Sequence, residues 1–95
     1  MTKTATFHDL NGASVFITGG GSGIGAALTE GFAEQGAQVA FVDLIDASDF
    51  ARDVGKRTGN TPLSIQCDIT DTKALAAAMA QAKDAHGPIT ALVNN

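Results

Sequence analysis

Apolar residues follow two rhythms along this sequence, and the places where one gives way to the other predict its elements. Val15-Phe16-Ile17, set between Ser14 and Thr18, is a continuous run of β-branched and aromatic side chains. Such a run predicts a strand covered on both faces, as in a parallel sheet, because a strand with one wet face would alternate. Directly after it comes Gly19-Gly20-Gly21-Ser22-Gly23-Ile24-Gly25, and then apolar or small residues at Ile24, Ala27, Leu28, Gly31 and Phe32. That spacing marks one face of a helix, and Gly36 is placed to end it. Gln38-Val39-Ala40-Phe41-Val42-Asp43 is a second apolar strand, closed by a carboxylate.

The pattern then repeats. Asp46 is expected as the N-cap of a helix with Asp49 at its third position, and Ala47, Phe50, Ala51 and Val54 share one face up to a stop near Gly59. Pro62 punctuates the turn. Residues 63–68 alternate apolar and polar side chains, which predicts an edge strand. Thr70 or Asp71 caps an Ala-rich helix that runs to His86, with Leu75, Met79 and Ala82 on its packed face and Gly87-Pro88 as its stop. Residues 90–94 form a fourth strand, and residues 1–13 are polar and end in the turn-favouring pair Asn11-Gly12. Strands alternating with helices predict an α/β fold. Right-handed crossovers then put helices on both faces of a parallel sheet of order 3-2-1-4, a three-layer, Rossmann-like half. No repeat beyond the βα unit, no linker and no second domain is visible, so residues 1–95 read as a single unit.

Composition narrows the chemistry. Six Lys+Arg against ten Asp+Glu give a net charge of −4, and the basic residues are scattered except for Lys56-Arg57, which argues against a nucleic-acid partner. The single cysteine, Cys67, can form no internal disulfide, and no Cys/His cluster has metal-ligand spacing. No apolar run approaches the length of a membrane span or of a signal peptide, so the expected location is the cytoplasm. There are 5 Phe but no Tyr and no Trp.

A glycine-rich turn between a buried strand and a helix N-terminus is built for phosphate, because unpaired N–H groups and the positive helix end converge there. Three registers are conceivable. A nucleotide-triphosphate loop needs Lys and then Ser or Thr after its last Gly, whereas Gly25 is followed by Ala26-Ala27. A long-chain dinucleotide fingerprint, Gly21-x-Gly23-x-x-Ala26, starts two residues too late for the turn after Thr18. Thr18-Gly19-x-x-x-Gly23-x-Gly25 fits both element boundaries. In it Gly19 lets the chain leave the strand, Gly23 gives a pyrophosphate close approach and Gly25 lets the helix pack near the sheet.

With that register the sequence resembles the short-chain dehydrogenase/reductase family, whose cofactor motif is Thr-Gly-x-x-x-Gly-x-Gly. Cys67-Asp68-Ile69-Thr70 is similar to the family's Asp-Val/Ile pair, in which the carboxylate and the next main-chain N–H hold the adenine ring. Leu92-Val93-Asn94-Asn95 resembles the start of its Asn-Asn-Ala-Gly motif. The resemblance implies cofactor contacts from Thr18, Gly19, Gly21, Ser22, Gly23, Ile24 and Gly25 in the turn. It adds Asp43 with Leu44 after the second strand, Asp68 with Ile69 after the third, and Asn94. An acid at Asp43 accepts hydrogen bonds from both adenosine ribose hydroxyls and repels a 2′-phosphate. Neither Ser22 nor Leu44 supplies the cation that NADP-preferring relatives use, so the expected cofactor is NAD rather than NADP.

Each of these residues also has a plainer role to weigh. Asp43 and Asp68 could simply cap the helices that follow them, and Asn94 could tie the sheet together. Asp46, Asp49 and Asp53 are expected in surface ion pairs, Asp49 with Arg52 and Asp53 with Arg57, rather than in acid–base work. His8 and His86 read as neither ligand nor base, with His86 suited as a partly charged imidazole to a helix C-terminus. Cys67 reads as a buried strand residue, and nothing nearby marks it as a nucleophile.

In the family, hydride transfer needs a Tyr, a Lys, a Ser and an Asn from a second half of the chain, and no Tyr occurs here. The resemblance therefore implies the cofactor-binding N-terminal part of an oxidoreductase acting on an alcohol or carbonyl, with no catalytic residue of its own and no turnover alone. In the family a fifth strand lies beside the fourth; without it the fourth strand here has an open apolar edge, and self-association through that edge is expected. A stand-alone NAD-binding module and an inert structural fragment are the competing classes.

Overall fold

The structure is a computed structural model that describes residues 11–95; His8 lies outside them. Its elements are β1 (Ser14–Thr18), α1 (Gly23–Glu34), β2 (Gln38–Asp43), α2 (Ser48–Thr58), β3 (Leu63–Gln66), α3 (Thr72–His86) and β4 (Ala91–Asn94). All strand pairs are parallel and the order is β3-β2-β1-β4, the order expected from the sequence.

Every residue of β1 is buried, in keeping with its unbroken apolar run. Successive side chains of a strand point to opposite faces, so Val15 and Ile17 join Val39 and Phe41 beneath α1 and α2, while Phe16, Ala40 and Val42 pack against Ala78 and Ala82 of α3. Each fully buried Phe, Ile or Val contributes about 1.5–3 kcal/mol of transfer free energy. β3 is the edge expected from its alternation, with Leu63 and Ile65 turned toward α3, but the strand ends at Gln66 rather than at residue 68, the Cys67 N–H still reaching Asp43 O at 2.8 Å.

Local capping departs from the sequence expectation in places. The N-cap of α2 is Ala47 rather than Asp46; Asp46 sits one residue earlier and accepts the Ser48 N–H at 3.0 Å. Of the two candidates before α3, Asp71 is the cap, accepting from the N–H groups of Lys73 and Ala74. Gly36 follows the last residues of α1 with φ +85° and gives its N–H to Ala33 O. Arg52 pairs with Asp49 as expected. Arg57, however, forms a bidentate pair with Glu30 at 2.8 and 2.9 Å, bridging α2 to α1 instead of staying with Asp53. His86 is half-buried and desolvation lowers its pKa, so it favours the neutral imidazole rather than the charged form expected at a helix end.

Candidate cofactor site

The C-terminal ends of β1, β2 and β3 open on one edge of the sheet, and the turn after β1 is tied to its neighbours there by backbone bonds. Gly19 and Gly20 both give their N–H groups to Val42 O, at 2.8 and 3.2 Å. The chain can leave the strand while still bonded to β2 because Gly19 adopts φ +67°, a region that penalises any Cβ. Gly20 O accepts from the Oγ1 of Thr29, a fully buried residue of α1, at 2.9 Å.

Gly25 explains the closeness of α1 to β1. A Cβ there would run into Gly19 O and stand 2.7 Å from Asn95 Nδ2, so only glycine lets the helix start directly behind the turn. Gly23 is different, with φ +57° and open space where a Cβ would point. Ser22 is the N-cap of α1 but makes no side-chain capping bond, so its hydroxyl does not occupy the first-turn N–H groups.

Asp43 closes β2 beside this turn. Its Oδ2 accepts the Gly21 N–H at 3.0 Å and its Oδ1 the Ile45 N–H at 3.3 Å, so the carboxylate is held across the glycine loop and does not cap α2. Asp68 uses Oδ1 to accept from the N–H and Oγ1 of Thr70, at 3.0 and 2.7 Å. Those two bonds favour the charged form and lower its pKa below the ordinary 3.8. Since Asp71 caps α3, Asp68 is not needed for that purpose.

A cleft of about 230 Å³ lies between Gly19, Asp43, Leu44, Cys67, Asp68 and Ile69. It therefore joins residues from all three strand ends. Leu44 and Ile69 are 66% and 44% exposed despite being large and apolar, and form lips suited to a flat ring. Ser22 and Ile24 lie outside the cleft on the first turn of α1, with Ile24 75% exposed. Asn94 is also outside it. Its Oδ1 accepts from Thr18 Oγ1 at 3.1 Å, directly across the β1/β4 register, which is the sheet-tying role.

Three contributors escaped the sequence reading. Asn95 gives its main-chain N–H to Thr18 Oγ1 at 3.0 Å and its Nδ2 to Gly19 O at 3.2 Å, clamping the turn from β4. The second Asn of the Asn94-Asn95 pair was the available signal. Gly20 occupies a position where the motif tolerates any residue, yet a Cβ there would overlap Phe41. Thr29 carried no signal, because a Thr within a helix is ordinary.

Nearly all of the described chain, residues 13–95, matches the family model for short chain dehydrogenase. The chain belongs to the short-chain dehydrogenase family. It is 47% identical over 94 residues to a probable galactose dehydrogenase of Rhizobium meliloti, covering 97% of this chain and 37% of that protein. A D-xylose 1-dehydrogenase of Caulobacter vibrioides is 42% identical over 95 residues, covering 98% and 36%. A hydroxysteroid dehydrogenase from Escherichia coli superposes with a TM-score of 0.84 at 33% identity, over 90% of this chain and 37% of that one. The chain thus spans little more than a third of the length of each of these three relatives.

Family membership implies a nicotinamide dinucleotide, NAD(P), as cofactor. The residues present fit such a group: a glycine turn with open space at Gly23, a carboxylate fixed at the end of β2, and an apolar-lipped cleft beside Asp68. Among the described residues no helix is long and apolar enough to cross a membrane.

Proposed function

We propose that this chain binds NAD and forms the cofactor-holding part of an oxidoreductase acting on an alcohol or carbonyl. The observation that carries this reading is the carboxylate of Asp43, bonded to the phosphate-type glycine loop and facing the cleft. In the proposed complex the pyrophosphate meets the first-turn N–H groups of α1 near Gly23, Asp43 accepts from the adenosine ribose, and the adenine ring lies between Leu44 and Ile69 with Asp68 at its edge. Bound NAD supplies the hydride acceptor. A 2′-phosphate would face a fixed negative charge, and no Lys or Arg stands at Ser22 or Leu44 to offset it.

Titrating the folded protein with NADH and NADPH, followed by nucleotide fluorescence, tests this directly. NADH is expected to bind more tightly, and NADPH binding at least as well would overturn the assignment. Without a Tyr, the 95 residues on their own are proposed to hold cofactor without turnover; NAD reduction by pure chain of 9.6 kDa would refute that. For the whole protein, the names of the sugar-oxidising relatives make an aldose the first substrate class to assay. The free, buried Cys67 accords with a reducing compartment, and cytoplasm is the proposed location. We also propose that the chain associates with itself along β4, an edge of the sheet whose Leu92 is 59% exposed. A monodisperse monomer in light scattering at high concentration would exclude it.

A further inference from the structure

Gly21 occupies a position that the motif leaves free, and its backbone has an ordinary φ that any residue could adopt. Space alone demands glycine there. A Cβ on residue 21 would stand 2.6 Å from the Cβ of Ala47, 3.0 Å from Asp43 Oδ2 and 3.3 Å from Phe41 Cε1. Ala47 and Phe41 are buried in the core beneath α2 and cannot turn aside. The same residue gives its N–H to Asp43 Oδ2, while Ile45 holds the other carboxylate oxygen.

We infer that Gly21 is the positioning residue for the choice between NAD and NADP: seated against Ala47, it fixes the Asp43 carboxylate across the cleft mouth. This rests on the cofactor reading above. A carboxylate has about four acceptor positions, so the two bonds from Gly21 and Ile45 leave each oxygen free to accept again. The ribose hydroxyls therefore meet an acceptor whose orientation is already set, and binding costs less side-chain freedom. The same lock prevents the carboxylate from swinging away from a 2′-phosphate, so the repulsion is not relieved.

The test is the ratio of NADPH to NADH dissociation constants, measured by fluorescence titration on the folded protein. Gly21→Ala is expected to lower that ratio about tenfold, since NADH loses its oriented acceptor while NADPH loses a fixed repulsion. Asp43→Ser lowers it as well, and adding Gly21→Ala to that variant changes it no further. A role confined to loop stability would weaken both nucleotides alike and leave the ratio where it was. If Gly21→Ala does not fold, the double variant G21A/A47G removes the clash with Ala47, keeps the one with Asp43 and reads the same ratio. A ratio within about twofold of the wild type in the folded variant overturns the inference while leaving the NAD assignment intact. A wild-type protein that does not bind NADH overturns both.

Discussion

Gly25 and Gly31 lie six residues apart in α1, both at helical backbone angles without positive φ, and the same substitution should move stability in opposite directions at the two. Replacing glycine by alanine in a helix interior contributes about 0.5–1 kcal/mol through reduced chain entropy in the unfolded state. At Gly31 nothing lies within 4 Å of the new Cβ, so Gly31→Ala keeps that whole gain. At Gly25 the methyl meets Gly19 O, a backbone atom held in the turn, and stands 2.7 Å from Asn95 Nδ2. Overpacking of this kind costs about 1–3 kcal/mol. Shifting Gly19 also weakens the 3.2 Å bond from Asn95, a further loss of about 1 kcal/mol. Gly25→Ala is therefore expected to be destabilised by about 1–3 kcal/mol net, leaving roughly 2–4 kcal/mol between the two variants. In a domain of this size each kcal/mol moves the midpoint by about 4–8 °C. Urea unfolding followed by circular dichroism should show both midpoints shifting at constant slope, Gly31→Ala upward and Gly25→Ala downward. A Gly25→Ala protein as stable as the wild type, or a Gly31→Ala protein less stable, would refute the steric reasoning.

Other outcomes follow from the same geometry. Asn60 Nδ2 donates to Ala33 O and Ala37 O at 3.1 and 2.7 Å, joining the end of α1 to the start of β2, so Asn60→Ala should cost about 1–3 kcal/mol in thermal unfolding. Glu30, Asp46 and Asp68 are each held below their ordinary pKa of 4.5, 3.8 and 3.8, chiefly by hydrogen bonds from Arg57, Ser48 and Thr70. Their stabilising effect is complete above those values and is lost as pH falls through the lowered folded ones, so the melting temperature should drop on acidification and Asp68→Asn should flatten part of that drop. His86 is a base whose pKa burial lowers from 6.5, and its Nδ1 is buried without a partner. Protonation therefore opposes the fold: stability should decline as pH falls below 6.5, and His86→Gln should reduce that decline in melting curves taken at successive pH values.

Much of the architecture was legible from local pattern. The unbroken run Val15-Phe16-Ile17 announced a strand covered on both faces, the alternation over residues 63–68 an edge strand, and the strand–helix alternation a parallel sheet, whose expected order 3-2-1-4 is the one found. The glycine spacing after Thr18, with Asp43 and Asp68 following later strands, marks the candidate site in the sequence itself, because each signal depends on period and on neighbours a few residues away.

What tertiary structure decided are contacts between residues far apart in sequence. Arg57 could have paired with Asp53 one turn away, yet the packing of α2 on α1 brings Glu30 within bidentate reach across 27 residues. Gly20 and Gly21 look optional in the motif, but Phe41 and Ala47, placed by the core, exclude any side chain at either. Burial of His86 opposes the charge that its helix end alone would favour. Periodicity tells which face of an element is apolar; how closely two faces approach, and so which glycine, carboxylate or imidazole has no alternative, is set by packing the whole sheet between its helices.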